Sequence, residues 1–322
     1  MANGARYGFL DNNMAEHARC VLCGSTDSTL LFATHDLVLA LAGDYCYVRC
    51  RCCGLTFLET TPAWDARAAH YDVDYRGYQH LTAASSPLQH LSLAYGLRKR
   101  LRIVTHFQPG GLLLDIGCGG GDFVRWANYQ RGWQAVGLER TGAMALAAHQ
   151  PDALPVILGD CADAGLATAS VDVITLWTVL EHMANPLQGL VECARVLRPG
   201  GLVVIRTVDE GSWGAHWFGP NWLGYDAPRI VTVFSRATLR RAVEQSGFTV
   251  LQLGCHFHDF HPLLWSLRNA CDEQFGMPAL CAAICAGVGS WPVRLLTYPF
   301  FALQSRLGKD SFVTMVARKQ SP

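Results

Sequence analysis

Leu114-Asp115-Ile116-Gly117-Cys118-Gly119-Gly120-Gly121-Asp122 is the stretch that decides the fold. An apolar run leads into a glycine-rich turn, and helix-like residues 123–129 follow it. A strand, a glycine turn and a helix in that order bring backbone close to a ligand at a helix N-terminus. Working outward, short apolar runs recur at 112–116, 135–138, 156–158, 171–177, 202–207 and 249–253, with helical stretches of ordinary length between them. Continuous apolar strands alternating with helices form a parallel sheet covered on both faces. The expected fold is therefore α/β, doubly wound and Rossmann-like.

The turn itself selects a ligand. A dinucleotide fingerprint needs glycine at its sixth position, but Asp122 stands there. Pyrophosphate would then meet carboxylates at Asp115 and Asp122. S-adenosylmethionine, with a sulfonium, an ammonium and no phosphate, suits this turn better, and Asp115 can face its amino-acid end. Glu139 closes the second strand 22 residues after Gly117. That spacing suits bidentate contact with ribose hydroxyls. Asp160, beside Cys161 at the end of the third strand, can meet the adenine amino group. A carboxylate in such a place can also be a helix cap, but three at successive strand ends mark where this architecture binds ligands. Asp115, Gly117, Cys118, Gly119, Gly121, Glu139, Asp160, Cys161 and Trp177 are the expected cofactor-binding set.

These residues, with 171–183, Asn185-Pro186 and Arg195-Val196-Leu197-Arg198-Pro199-Gly200-Gly201, resemble class I S-adenosylmethionine-dependent methyltransferases over residues 110–255. The resemblance implies a seven-stranded sheet whose last strand is antiparallel, and 311–318 is the candidate for that strand.

Upstream, Cys20-Val21-Leu22-Cys23-Gly24 and Cys50-Arg51-Cys52-Cys53-Gly54 form two matched knuckles. Their four thiolates suit a closed, structural zinc site of Cys20, Cys23, Cys50 and Cys53, with no position left for water. A redox C-x-x-C explains one pair but not two. Methyltransferases with such an N-terminal zinc-binding module form a group that modifies sugars, polysaccharides and secondary metabolites, and Tyr71, Tyr75 and Tyr78 resemble it. So does the insertion from Trp217 to Asp226-Ala227-Pro228-Arg229 and Phe234-Ser235. Trp217, Tyr225, Asp226 and Arg229 are the expected acceptor-binding residues. Trp213, Trp217, Phe218 and Trp222 line an acceptor pocket, form a lid or belong to ordinary core. The group often has histidines after Pro-Arg and before Phe-Ser, where this chain has Ile230 and Val233.

An oxygen or activated-carbon acceptor needs a base, and His182, following the fourth strand at the mouth of the cleft, is the candidate. Its alternative role is a hydrogen bond to a loop carbonyl. His216 is a weaker candidate for the base.

Composition sets the remaining bounds. Lys plus Arg is 26 and Asp plus Glu is 26, so the absence of net charge argues against a nucleic-acid partner. Thirteen cysteines, an odd number, fit a reducing cytoplasm. Residues 1–13 have neither the basic nor the apolar region of a signal peptide. The expected division is a zinc-binding module over 14–60, a helical linker over 61–108, the S-adenosylmethionine-binding domain over 109–260, and an apolar helical insertion with the closing strand over 261–322. Charged residues are only 16% of the chain, and 274–293 contains none. Pro278, Gly287, Gly289 and Pro292 argue against a membrane span there. Residues 274–305 are read instead as a peripheral contact with a bilayer, or as a homodimer face. The expected function is methyl transfer to a small-molecule acceptor: a sugar, a secondary metabolite or a lipid-linked glycan. The alternative is a non-catalytic binding module that keeps the fold.

Overall fold

The computed structural model describes residues 18–71, 87–142, 154–257, 260–275, 278–288 and 290–321. Residues 1–13, Tyr75 and Tyr78 lie outside the described residues.

The Cys-rich segment forms three antiparallel strands, β1 (Ser28–Thr34), β2 (Tyr45–Cys50) and β3 (Thr56–Leu58). A short helix, α1 (Trp64–Ala68), and the long helix α2 (Pro87–Thr105) follow. The proline at the first position of α2 gives up an N–H that has no partner in a helix anyway.

The main sheet is built from β4 (Gly111–Ile116), β5 (Trp133–Glu139), β6 (Val156–Leu158), β7 (Val171–Trp177), β8 (Leu197–Val208), β10 (Phe248–Gly254) and β11 (Phe312–Lys319). Its order is β10-β11-β8-β7-β4-β5-β6. β11 lies antiparallel between β8 and β10, and the β6-to-β8 half is parallel. The closing antiparallel strand expected at 311–318 is thus present one residue later. β7 is central and nearly all apolar, as a strand buried on both faces must be. Asp172 is its one charged residue. Its carboxylate accepts from the Leu112 amide at 2.8 Å and from Arg198 at 2.5 Å, which ties β7 to the start of β4 and to β8.

Helices α3 (Asp122–Asn128), α4 (Pro186–Val196), α5 (Trp213–Phe218) and α6 (Arg236–Gln245) connect the strands. Their caps are legible in sequence: Asn185, Ser212 and Ser235 each accept an amide hydrogen of the first turn. A second strand from the insertion, β9 (Thr232–Val233), pairs with β3 and so completes the small sheet in the order β1-β2-β3-β9. One apolar core joins Leu22, Leu55 and Phe57 of the Cys-rich segment to Ile116 and Ile205 of the main sheet and to Phe234, which follows β9. Each large side chain buried there contributes roughly 1.5–3 kcal/mol. The Cys-rich segment is therefore fastened to the main sheet by core packing and to the insertion by strand pairing.

The apolar insertion is three helices, α7 (Phe260–Phe275), α8 (Pro278–Val288) and α9 (Trp291–Arg306). Among the described residues, no helix is long and apolar enough to cross a membrane.

Candidate functional site

A cleft of about 2000 Å³ opens over the C-terminal ends of β4, β5, β6 and β7. Ligand sites usually measure roughly 300–1,000 Å³, so the space admits two small molecules together. Asp115, Gly117, Cys118, Gly119, Glu139, Asp160, Cys161 and Trp177 all line it. Gly121, the ninth expected residue, instead caps α3 beside it with φ +76°. The turn is forced by sterics at Gly117. Its φ is +67°, and a Cβ there would sit 2.5 Å from Val179 Cγ2.

Glu139 is buried, and its two carboxylate oxygens accept from the amides of Gly119 and Thr141, each at 2.8 Å. Each oxygen keeps acceptor capacity toward the cleft. Asp115 accepts from Thr175 Oγ1 at 2.5 Å. Burial pushes its pKa up to about 7, against the opposing pull of Thr175 and the Arg100 guanidinium. Such a site favours a cation arriving nearby. Asp160 forms an ion pair with Arg140 at 2.6 Å, and the Arg140 guanidinium stacks 3.9 Å over Trp64. Two buried polar atoms on this rim, Trp177 Nε1 and Asp122 Oδ2, lack a hydrogen-bond partner among the described residues. Acidic acceptors at strand ends, unsatisfied polar atoms and no phosphate cradle fit S-adenosylmethionine.

His182 lines the same cleft, in a single 3-10 turn after β7. Its Nδ1 donates to the Arg229 carbonyl at 2.9 Å, and the Tyr71 hydroxyl lies 3.2 Å from the same nitrogen. Nδ1 therefore carries the proton, and Nε2 keeps a lone pair with no partner among the described residues. Burial lowers its pKa to about 4, so the ring is neutral. The carbonyl hydrogen bond expected as its alternative role is thus present at Nδ1, and Nε2 remains an acceptor toward the cleft. Glu181, next to it, is buried and lines the same cleft; burial raises its pKa to about 7.

The four expected acceptor residues separate. Asp226 lines the cleft. Arg229 does not: it is fully buried, held by Asp36 at 2.9 Å and by Asp226 at 2.9 Å. Burial favours the neutral acid at Asp36, but Arg229 overrides it and holds the pKa near 2. Tyr225 packs against Tyr47 and Phe32 and donates to Glu210 at 3.1 Å, inside the aromatic core rather than in the cleft. Trp217 is 53% exposed and stacks on Trp213 and Phe300, away from the cleft. Trp222 is core. In their place the cleft wall has Trp64, Tyr71, Tyr95, Arg100 and Ile230, which sequence reading gave no such role. Arg67, buried behind it, donates to the His182 carbonyl at 3.0 Å. Ile230 puts an apolar side chain into the cleft wall.

The four cysteine sulfurs Cys20, Cys23, Cys50 and Cys53 lie within 4.8 Å of one another. Cys20–Cys53 and Cys23–Cys50 are both 3.5 Å apart. A Zn–S length of about 2.3 Å gives a tetrahedral edge of about 3.8 Å, so the cluster fits that ion. The two knuckles repeat each other: Gly24 donates to the Cys20 carbonyl and Gly54 to the Cys50 carbonyl, with φ +75° and +77°. Cys52, the surplus cysteine, is exposed.

Residues 89–253, just over half of the chain, match a family described as a methyltransferase domain. Malonyl-[acyl-carrier protein] O-methyltransferase of Serratia marcescens is 34% identical over 128 residues, 39% of this chain and 49% of that protein. A ubiquinone biosynthesis O-methyltransferase of Maricaulis maris is 33% identical over 89 residues, 26% of this chain and 35% of that one. The chain thus spans half or less of the length of these curated relatives. A solved S-adenosylmethionine-dependent methyltransferase of Thermotoga maritima, titled a possible histamine N-methyltransferase, superposes with a TM-score of 0.50. It is 18% identical, over 80% of this chain and all of that one, and speaks for the fold alone.

Proposed function

The chain belongs to the S-adenosylmethionine-dependent methyltransferases, and from that premise we propose that it methylates a small-molecule acceptor at oxygen or carbon. The observation that carries this reading is a shared cleft. Its wall holds eight of the nine expected cofactor contacts together with a neutral histidine whose Nε2 has no partner among the described residues. S-adenosylmethionine supplies a methyl group on a sulfonium that leaves as a neutral thioether.

The chain's own residues then have defined tasks. Glu139 takes the ribose hydroxyls, Asp115 faces the amino-acid end, and Trp177 with Cys161 closes the rim. The proton of an acceptor hydroxyl passes to His182 Nε2 as its oxygen takes the methyl. Burial keeps the ring neutral across the neutral range, and its lowered basicity means that it takes the proton only as the new bond to oxygen forms. Asp226 and Tyr71 orient the acceptor, and Ile230 supplies apolar contact and helps exclude water. A sugar, a secondary metabolite or a lipid-linked glycan fits a cleft of this size and mixed polarity. Cys20, Cys23, Cys50 and Cys53 hold a structural zinc ion, and residues 14–60 act as the unit it organises.

The test is a screen of acceptors with methyl-labelled S-adenosylmethionine, repeated with His182→Gln. A general base contributes roughly 10²- to 10⁴-fold. The turnover of the variant is expected to fall in that range with S-adenosylmethionine affinity unchanged. Full activity in the variant would leave His182 as a loop-bonding residue only. Cofactor binding with no transfer to any acceptor would favour the non-catalytic reading.

A further inference from the structure

Helix α9 is amphipathic in the reverse sense. Its inward face buries Phe301 and Gln304. Its outward face presents Leu295 at 72%, Leu296 at 81%, Phe300, Leu303 at 52% and Leu307. Spaced at 295, 296, 300, 303 and 307, these residues form one stripe of a 3.6-residue helix. Trp217 stacks on Phe300 at 6.1 Å and extends the stripe with a half-exposed indole. Monomeric proteins rarely leave so continuous an apolar face in water.

Charge identifies the occupant. From 274 to 309 the chain carries Arg294, Arg306 and Lys309, and no carboxylate. Arg306 and Lys309 are exposed at the end of the stripe. In a symmetric pairing of this segment with itself, a second copy would bring the same cations and no carboxylate. An anionic bilayer does, and leucines with an interfacial tryptophan are what the headgroup boundary accepts.

We propose that α9, with Trp217, docks this protein peripherally on anionic phospholipid membranes. At 16 residues α9 is about 24 Å long, short of the roughly 30 Å hydrocarbon core, so it lies in the interface. α7 and α9 also contribute His261, Trp265 and Arg294 to the cleft wall, so docking brings the cleft to the lipid. This goes beyond the methyl-transfer reading and stands independently of it.

The test is cosedimentation of the full chain with phosphatidylcholine vesicles, with and without one fifth phosphatidylglycerol. Partitioning is expected only with the anionic vesicles, and to weaken with salt. The triple variant Leu295→Glu, Leu296→Glu, Leu303→Glu is expected to partition at least tenfold less while binding S-adenosylmethionine normally. Should that variant fail to fold, Arg306→Glu with Lys309→Glu serves, and its anionic preference is expected to vanish. Equal partitioning of either folded variant, no binding to anionic vesicles, or equal binding to neutral ones overturns the proposal. So does a lipid-free dimer that the triple variant splits, which would make a second copy the occupant.

Discussion

Glu139→Gln separates two tasks that one carboxylate performs. In the free protein Glu139 holds the glycine turn by accepting from Gly119 and Thr141 at 2.8 Å each. With cofactor bound, its remaining lone pairs are to accept the ribose hydroxyls. Glutamine keeps one oxygen and turns an NH₂ toward one of the two amides. An orphaned buried amide costs about 1–3 kcal/mol, and this falls on the fold with or without ligand. The ribose loses a charge-assisted bond worth about 1.5–3 kcal/mol. That converts to a Kd weakened about 10- to 150-fold. Thermal unfolding without ligand reads the first quantity and calorimetric titration with S-adenosylmethionine reads the second. A lowered Tm with an unchanged Kd would refute the reasoning and reduce Glu139 to a clamp on its own loop.

Metal analysis of the purified chain is expected to find one zinc per molecule. Chelation or Cys50→Ser should release it and lower Tm, because the knuckles share a core with the main sheet; a metal-free chain of undiminished Tm would contradict this. Arg229→Leu leaves Asp36 and Asp226 as buried carboxylates without their cation. It should cost about 3–5 kcal/mol in urea unfolding, and a loss below about 1 kcal/mol would count against the buried network. The His182 pKa is lowered in the fold, so the unfolded chain binds the extra proton between about pH 4 and 6.5. Stability from this residue is full above pH 6.5 and declines as pH falls toward 4. The wild-type chain should therefore lose more stability than His182→Gln over that interval, and parallel profiles would show an ordinary histidine.

The expected cofactor residues gather in one cleft because each is placed by local sequence. Asp115, Glu139 and Asp160 each follow an apolar run directly, and strand ends in a parallel sheet face one crevice. The strands were readable for the same reason: β7 was expected over 171–177 and lies there. β3 and β9 escaped notice because they are three and two residues long and pair across a separation of about 175 positions. For a similar reason the expected acceptor residues do not gather in the cleft. Arg229 reads as a free cation until Asp36, 193 residues away, closes on it. Trp217 and Tyr225 read as pocket aromatics, but stacking on Phe300 and packing on Tyr47 direct them elsewhere. No local pattern encodes such partners. The apolar appendage was visible in composition, but which of its faces is exposed depends on what α9 packs against.

The central claim is that the rim of Asp115, Gly119, Glu139 and Trp177 holds S-adenosylmethionine. Calorimetric titration of the wild-type chain tests it most directly. Saturable binding at one site per chain, competed by S-adenosylhomocysteine and weakened in Glu139→Gln, is the expected result. No binding of either compound by folded protein would contradict it.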